Sequence, residues 1–364
     1  CQIVPYLIVP EPSLINAPQD VFGSCTPNPT RSDALAKHAT CQGSGDSKGL
    51  GGAMSSFSQA VYDIFTSNST YINAALFGGL LAFAATGEWV AERAGTLNIS
   101  VEAMLLAGAF TSAVGYDLTD SVVVALVAGV LGGVLVAVVQ AEMSHRLAAD
   151  QFVVGLTLNI LIFGLTGFLD REIDPATKTA ARWAVPILNK VPLVGKALFG
   201  QPWPFYLLYV LIPLSWWLVY RTRWGLELRA AGENPQSADV SGIDVNRRRR
   251  QAIYYAGLTS GLGGAFLVFV QVGRFEDSVV GGRGFIAIAA VIFGGWTLRG
   301  TILGCVVFAA ALSFRLSIQG LGYQVNSELL QALPFLVTIL GMALFAHRVR
   351  PPAALARPFV RGLR

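Results

Sequence analysis

"SVVVALVAGVLGGVLVAVVQAE", Ser121 to Glu142, carries no charged side chain before its last position. A helix that crosses the apolar layer of a bilayer needs about 20 mainly apolar residues, and this run supplies them unaided. Gly129 and Gly133 within it form a small-xxx-small pair, as Gly257 and Gly261 do later in the chain. Such pairs let helix backbones approach closely where no hydrophobic drive separates protein from surroundings, so both are read as packing seams.

Composition extends this reading to the rest of the chain. Hydrophobic residues make up 53% and charged residues 13%, against roughly 25% charged in an ordinary soluble domain. The surface is too apolar for water, and the fold class is an all-α integral membrane protein. Windows of spanning length recur at 70–89, 97–116, 121–142, 151–170, 203–220, 251–272, 281–297, 300–319 and 326–346, about nine transmembrane helices. Basic residues gather around Arg93, His145-Arg146, Arg221 to Arg250 and the tail His347 to Arg364. Basic loops face the cytoplasm, and nine alternating spans put all four on that side, with the N-terminus outside and the C-terminus inside. The loop 171–202 is then external. Its mixed charges and Pro175, Pro186, Pro192 and Pro202 predict a structured hairpin or surface helix.

Residues 1–53 stand apart, with Pro, Gly and Ser scattered without periodicity. They are expected to be a disordered or misassigned N-terminal extension, with Met54 as the natural start; a lipid-modified Cys1 on a processed chain is the alternative. The membrane region is 54–346, with a cytoplasmic loop at about 221–250, and 347–364 is a basic cytoplasmic tail. "GSGDSKG" around Lys48 lacks the Gly-Lys-Ser/Thr ending of a phosphate loop. The cysteines at 1, 25, 41 and 305 form no CxxC pair and the three histidines are scattered, so no metal site is expected. No nucleophile elbow surrounds any serine.

Within the cytoplasmic loop lies "RAAGENPQSADVSGIDVNRRRR", Arg229 to Arg250. Asn234 suits an N-cap, Pro235 the first helical position and Gly242 a C-terminal stop, so a short bounded helix is predicted. Arg247 to Arg250 read as the positive-inside anchor of the sixth span and can meet anionic headgroups. Ala238, Val240 and Ile243 offer a small apolar face. A loop that merely sets topology would carry the same arginines.

Polar groups inside spans are costly and mark pathways. The set is Asn98, Glu102, Gln140, Thr157, Asn159 and Gln271. Asn98 and Glu102, four apart, are expected on one helix face turned into the bundle. Gln140 and Gln271, near span ends, are expected to snorkel. For the others the alternative is a hydrogen bond that locks two helices. Phe285 and Phe293, with Phe163 and Trp296, could stack on a flat ligand or simply pack.

Three stretches carry a resemblance. "RWGLELRAAGENPQSADVSGIDVNRRRR" is similar to the cytoplasmic coupling segment in permeases of the branched-chain amino acid, ribose and nucleoside class of bacterial ABC importers. "ERAGTLNISVEAMLLAGAF", Glu92 to Phe110, and "GGRGFIAIAAVIFGGW", Gly281 to Trp296, resemble that family's signatures around its second and seventh spans. Within the class they look most like the simple-sugar and nucleoside permeases, including the guanosine type. The likeness covers residues 70 to 346; Ser100 and Ala103 stand where glycines are usual.

The resemblance implies a transport subunit in the bacterial inner membrane and no enzyme. Gly232, Asn234, Pro235, Ala238, Gly242 and Ile243 would couple it to a separate cytoplasmic ATP-binding subunit that binds ATP and Mg; this chain would hold no cofactor. A second permease subunit, by resemblance a homologous heterodimer partner, and an extracytoplasmic substrate-binding lipoprotein are the other implied partners, with membrane lipid around them and no nucleic acid. Asn98, Glu102, Asn159, Phe285 and Phe293 are the candidate pathway residues. Small and branched apolar residues recur similarly in "TLNISVEAMLLAGA" and "GFIAIAAVIFGGW", a weak sign of an inverted repeat with its substrate near the midplane beside interrupted helices at Gly95 and at Gly281, Gly282 and Gly284. A membrane-embedded enzyme and a proton-coupled secondary transporter are the alternatives.

Overall fold

The computed structural model describes residues 65–180, 194–320 and 351–359, together with 62, 332, 336, 339 and 340. The extension 1–53 and the span expected at 326–346 lie outside these, apart from those four isolated positions. The chain divides into Cys1–Met54 and Ser55–Arg364, and only the second unit is described.

Helices α1 (Asn68–Arg93), α2 (Val101–Thr119), α3 (Val122–His145) and α4 (Gln151–Ile173) come first. A short α5 (Val194–Phe199) follows in the loop where a surface helix was expected, then a 3-10 turn at Trp203–Tyr206 leading into α6 (Leu207–Arg221). Next are α7 (Arg223–Glu233), α8 (Pro235–Val240) and α9 (Val245–Phe266), which widens into a π turn at Leu267–Val272. α10 (Arg283–Phe293) and α11 (Leu298–Gly320) complete the set. No strand occurs among the described residues. Six of the helical stretches are long and apolar enough to cross a membrane: Asn68–Arg93, Val122–His145, Gln151–Ile173, Trp203–Arg221, Val245–Val272 and Leu298–Ile318. Two expected spans differ from full crossings. α2 begins only at Val101, and α10 has 11 residues, about 16 Å of helix against the roughly 30 Å apolar layer.

α9 is the centre and packs on α1, α2 and α3. The two glycine pairs found in the sequence face each other here. A Cβ on Gly133 would overlap the Gly257 carbonyl oxygen and stand 2.7 Å from the Gly261 Cα. One on Gly261 would overlap the Gly129 carbonyl, and Gly108 of α2 is as close to Gly261 from the third side. With no side chain between them, three backbones touch and gain dispersion contact along their length.

Polar groups tie the end of α1 to distant segments. The Trp89 indole donates to the Trp296 carbonyl at 2.9 Å, and the Trp296 indole donates to Glu92 Oε2. Glu88 Oε2 accepts from Asn98 Nδ2 at 2.9 Å. Both carboxyl groups are fully buried, so each hydrogen bond is made without competition from water.

Gln140 and Gln271 do not snorkel. Gln140 is fully buried and donates to the Gln151 carbonyl and Ser144 Oγ, both at 3.2 Å; Gln271 donates to the Leu76 carbonyl at 2.6 Å. Gln140 thereby ties α3 to the start of α4 and Gln271 ties the π turn to α1, each hydrogen bond replacing one to water.

Two outcomes follow from this packing. Gly133→Ala forces backbone apart and is expected to cost about 1–3 kcal/mol, the usual range for overpacking. Gly164, with open space around its Cβ position, is the control: Gly164→Ala leaves stability level or raised. Thermal unfolding of the purified protein in detergent reads both. Glu92→Ala strands the buried Trp296 indole N–H and is expected to lose about 1–3 kcal/mol in the same assay, whereas Glu92→Gln keeps an acceptor there and loses less.

Candidate translocation site

α1 ends at Arg93, and the chain then runs through the non-helical residues 94–100 before α2 starts. Gly95 makes this turn at φ +82°. Asn98 therefore precedes α2 and shares no helix face with Glu102; the spacing of four does not fall on a continuous helix. Asn98 is fully buried, donating to Glu88 and accepting from Ser100 Oγ at 2.8 Å.

Glu102, in the first turn of α2, reaches across to the start of α10. Its Oε1 accepts from the Gly282 N–H at 2.7 Å and its Oε2 from the Gly284 N–H at 2.6 Å. Gly281 and Gly282 adopt φ +55° and +82°, so the chain turns sharply and aims its first amides at that carboxylate. The side chain thus caps one short helix from the first turn of another, in the position that the positive end of a helix dipole favours. A Cβ on Gly284 would stand 2.8 Å from the Glu102 Cα, so the two helix starts are in contact.

Asn159 serves the other end. Its Oδ1 accepts from the Ala103 N–H at 2.9 Å, an amide of α2's first turn, and its Nδ2 donates to the Ile99 carbonyl at 3.0 Å. Gln151 Oε1 accepts from the Leu97 N–H at 2.8 Å. α4 is thereby fastened to the broken stretch between α1 and α2. Thr157 bonds the Val153 carbonyl of its own helix and is exposed.

These groups border a cavity of about 380 Å³, lined chiefly by Glu102, Asn159, Phe163, Asp277, Ser278 and Phe285. Its size lies in the range of small-molecule sites, roughly 300–1,000 Å³. Phe163 and Phe285 are about half exposed there. Three sequence candidates, Glu102, Asn159 and Phe285, are brought together and two are not. Asn98 belongs to the buried Glu88 network, and Phe293 packs edge-on against Phe308 of α11 with ring centres 6.0 Å apart.

Asp277 was missed by sequence reasoning because it lies between spans, where a charged residue calls for no explanation. Its Oδ2 stands 4.0 Å from Arg171, while its buried Oδ1 has no hydrogen-bond partner. A carboxylate oxygen left bare beside a cavity is a ready acceptor for a ligand donor.

On the loop after α6, the predicted short helix is present as α8. Asn234 Oδ1 accepts from the Ser237 N–H at 3.0 Å, Pro235 opens the helix, and Gly242 ends it at φ +85°. α7, capped by Thr222, is an additional helix. Ala238, expected on the outward apolar face, is turned inward against Ala231 and Val245; Ile243 is half-buried beside them, and Val240 is 89% exposed. Gly232 is buried where α7 meets the end of α1, since a Cβ there would overlap the Arg93 carbonyl.

The four arginines expected to meet headgroups are mostly engaged within the protein. Arg248 pairs with Glu227, Arg250 with Glu142 at 2.8 Å, and Arg249 is fully buried; Arg247 alone is exposed. α9 starts at Val245, six residues before the expected span, which draws the arginines into the bundle.

Comparison with known proteins agrees with this architecture. Residues 70–342 match the family described as branched-chain amino acid transport system, permease component. The nucleoside ABC transporter permease protein of Lactococcus lactis subsp. cremoris is 33% identical over 298 residues, 78% of this chain and 93% of the relative. The guanosine ABC transporter permease protein of Bacillus subtilis is 30% identical, over 79% of this chain and 95% of its own. A putative glucose ABC transporter permease protein of Haloferax volcanii is 29% identical, over 78% and 95% respectively. A signature-bearing chain with six membrane-length helices and this degree of likeness belongs to the branched-chain amino acid permease family and is a permease subunit of an ABC importer, a multi-pass inner-membrane transporter and not an enzyme.

Proposed function

We propose that the chain carries a nucleoside through the membrane along the cavity bordered by Glu102, Asn159, Phe163, Asp277 and Phe285. The observation that carries this reading is the pair of adjoining helix starts, α2 and α10, held together by Glu102 beside an open cavity. Interrupted helices of this kind border the substrate sites of transporters built from repeats. Phe163 and Phe285 would stack on the base, and the bare Asp277 Oδ1 would accept from a ribose hydroxyl. Relatives named for nucleosides and guanosine support the nucleoside; those named for glucose and ribose make a simple sugar the second reading.

The inverted repeat belongs to the same proposal. α2 and α10 share a starting point and then part: Tyr116 near the end of α2 packs on Phe269, while Trp296 just past α10 reaches Glu92 of α1. Nine spans, with the N-terminus outside and the C-terminus inside, place the coupling loop and tail in the cytoplasm. There α8 would meet an ATP-binding subunit that holds ATP and Mg, this chain holding no cofactor. Val240, standing out between the exposed Ser241 and Gln236, is the side chain suited to a groove on that partner. A homologous second permease and a substrate-binding lipoprotein would complete the importer.

The test is uptake of radiolabelled guanosine by vesicles holding the assembled importer. Asp277→Ala and Phe285→Ala are each expected to lower uptake roughly tenfold, about 1.4 kcal/mol, at unchanged abundance. Uptake falling only in step with abundance would leave these residues structural, and ribose uptake without guanosine uptake would favour the sugar reading. Glu102→Ala bares two amides and is expected to lower abundance and uptake together. Val240→Glu should leave the chain inserted and cost it its ATP-binding subunit on purification; an intact complex would remove α8 from the coupling role.

A further inference from the structure

Residues 351–359 do not form the free basic tail that the sequence suggests. The Ala354 N–H donates to the Gly232 carbonyl at 3.0 Å, and the Ala356 N–H to the Gly95 carbonyl at 3.2 Å. One hydrogen bond goes to the end of α7 and the next to the turn between α1 and α2. Asn246 Nδ2 of α9 donates to the Phe359 carbonyl at 3.4 Å, and the Phe359 ring packs on the cluster of Ala231, Ala238 and Val245 that seats α8. Leu355 packs against the main core.

Arg249 sits beneath this segment with 0% exposure. No carboxylate among the described residues pairs with it. Its Nε donates to the Ala94 carbonyl at 3.2 Å, Nη1 to Arg357 at 2.7 Å, and Nη2 to Ala354 at 3.3 Å and Ala231 at 3.5 Å. A buried guanidinium is costly unless its donors are met. Here its rigid fork of five N–H groups meets carbonyls of three separate segments: the α1–α2 turn, α7 and the tail. Gly95 lies at the crossing point, for a Cβ there would stand 2.9 Å from Arg249 Nη2, 3.1 Å from the Gly232 Cα and 3.2 Å from the Ala354 carbonyl.

We propose that the 351–359 strap and Arg249 form a joint that passes movement of the α7–α8 element to the 94–100 turn, and so to the start of α2 where Glu102 and Asn159 frame the cavity. Arg249 is then a positioning residue for the coupling of ATP hydrolysis to transport. This rests on the reading of α8 as the ATPase contact.

Geometry makes the route specific. α7 reaches the turn through Gly232, which allows no side chain between itself and Arg93, and through the arginine and strap that bridge the two. The turn is in turn fastened to α4 by Gln151 and Asn159, and Thr96 Oγ1 lies 3.1 Å from His145 Nε2 of α3. Without the strap, the arginine loses two of its four carbonyl partners, and the bridge from α7 to the turn is reduced to its bonds to Ala94 and Ala231.

The experiment compares the assembled importer with three variants: a chain ending at Arg350, Arg249→Gln and Arg249→Lys. Amide hydrogen exchange at 94–104 is followed with and without ATP and Mg. In the parent, nucleotide changes this exchange. In the shortened chain and in Arg249→Gln, the ATP-binding subunit still copurifies and hydrolyses ATP, while the nucleotide effect at 94–104 falls roughly tenfold, within the usual span of coupling between sites. Arg249→Lys, which keeps a cation with three donors, recovers part of the effect.

The inference is overturned if nucleotide leaves 94–104 unchanged in the parent, or if the shortened chain responds as the parent does. It is equally overturned if the shortened chain loses its ATP-binding subunit, since the strap would then be a docking contact. Should Arg249→Gln fail to fold, the shortened chain decides alone. The reading of α8 is judged separately by Val240→Glu, so failure of the joint and failure of the coupling helix give different results.

Discussion

A backbone amide in apolar surroundings must find a partner within the protein, and this chain breaks its helices twice beside a buried core. The breaks at 94–100 and 273–282 would leave the first amides of α2 and α10 bare. Side chains close them. Glu102 takes two amides of the α10 start, Asn159 takes Ala103 and returns a donor to Ile99, and Gln151 takes Leu97. Of the polar residues that stand out in the apolar sequence, Glu102 and Asn159 are spent in this way. The cavity is thus a by-product of how two broken helices are sealed: the helices start side by side, and their caps form its wall.

The seal would not hold on a yielding frame. α9 provides one, because its glycines let α2 and α3 approach to backbone contact, while Gly87 of α1 lies against Thr259 and Ala256 on another side. Burial follows the same division. Of the most apolar stretch of α1 and of α9, 72% is buried; of α4 only 22%. The cavity lies between α4, the least buried of these helices, and the starts of α2 and α10, with Asn159 as a tie across it.

Much of this was legible in the sequence. The caps of α8 were readable because Asn234, Pro235 and Gly242 act through local chemistry alone, and the glycine pairs were readable as seams because of their spacing. That the two pairs would meet each other was not, since spacing carries no information about the partner helix. The polar set was visible too, but its roles were hidden. Asn98 and Glu102 looked like neighbours on one face because the stretch reads as continuous helix; the helix begins at Val101, and the two residues go to different networks. Charge misled at both basic elements. Arg247 to Arg250 and the tail look solvated by count, yet backbone carbonyls, invisible in any pattern of side chains, draw Arg249 and the strap inward.

The same carbonyls explain why a buried arginine suits this place better than a buried ion pair. A carboxylate would hold Arg249 to one partner on one element, with a fixed distance and a penalty for separating two charges. Carbonyls of Ala94, Ala231, Ala354 and Arg357 each hold it more weakly, and from different directions. Such a group can keep most of its partners while one segment shifts, because the five donors are spread over a plane and no single bond carries the whole attachment. At the junction of α7, the 94–100 turn and the strap, these spread bonds act beside the close Gly232 contact, whereas the glycine seam behind it rests on backbone contact without such a group.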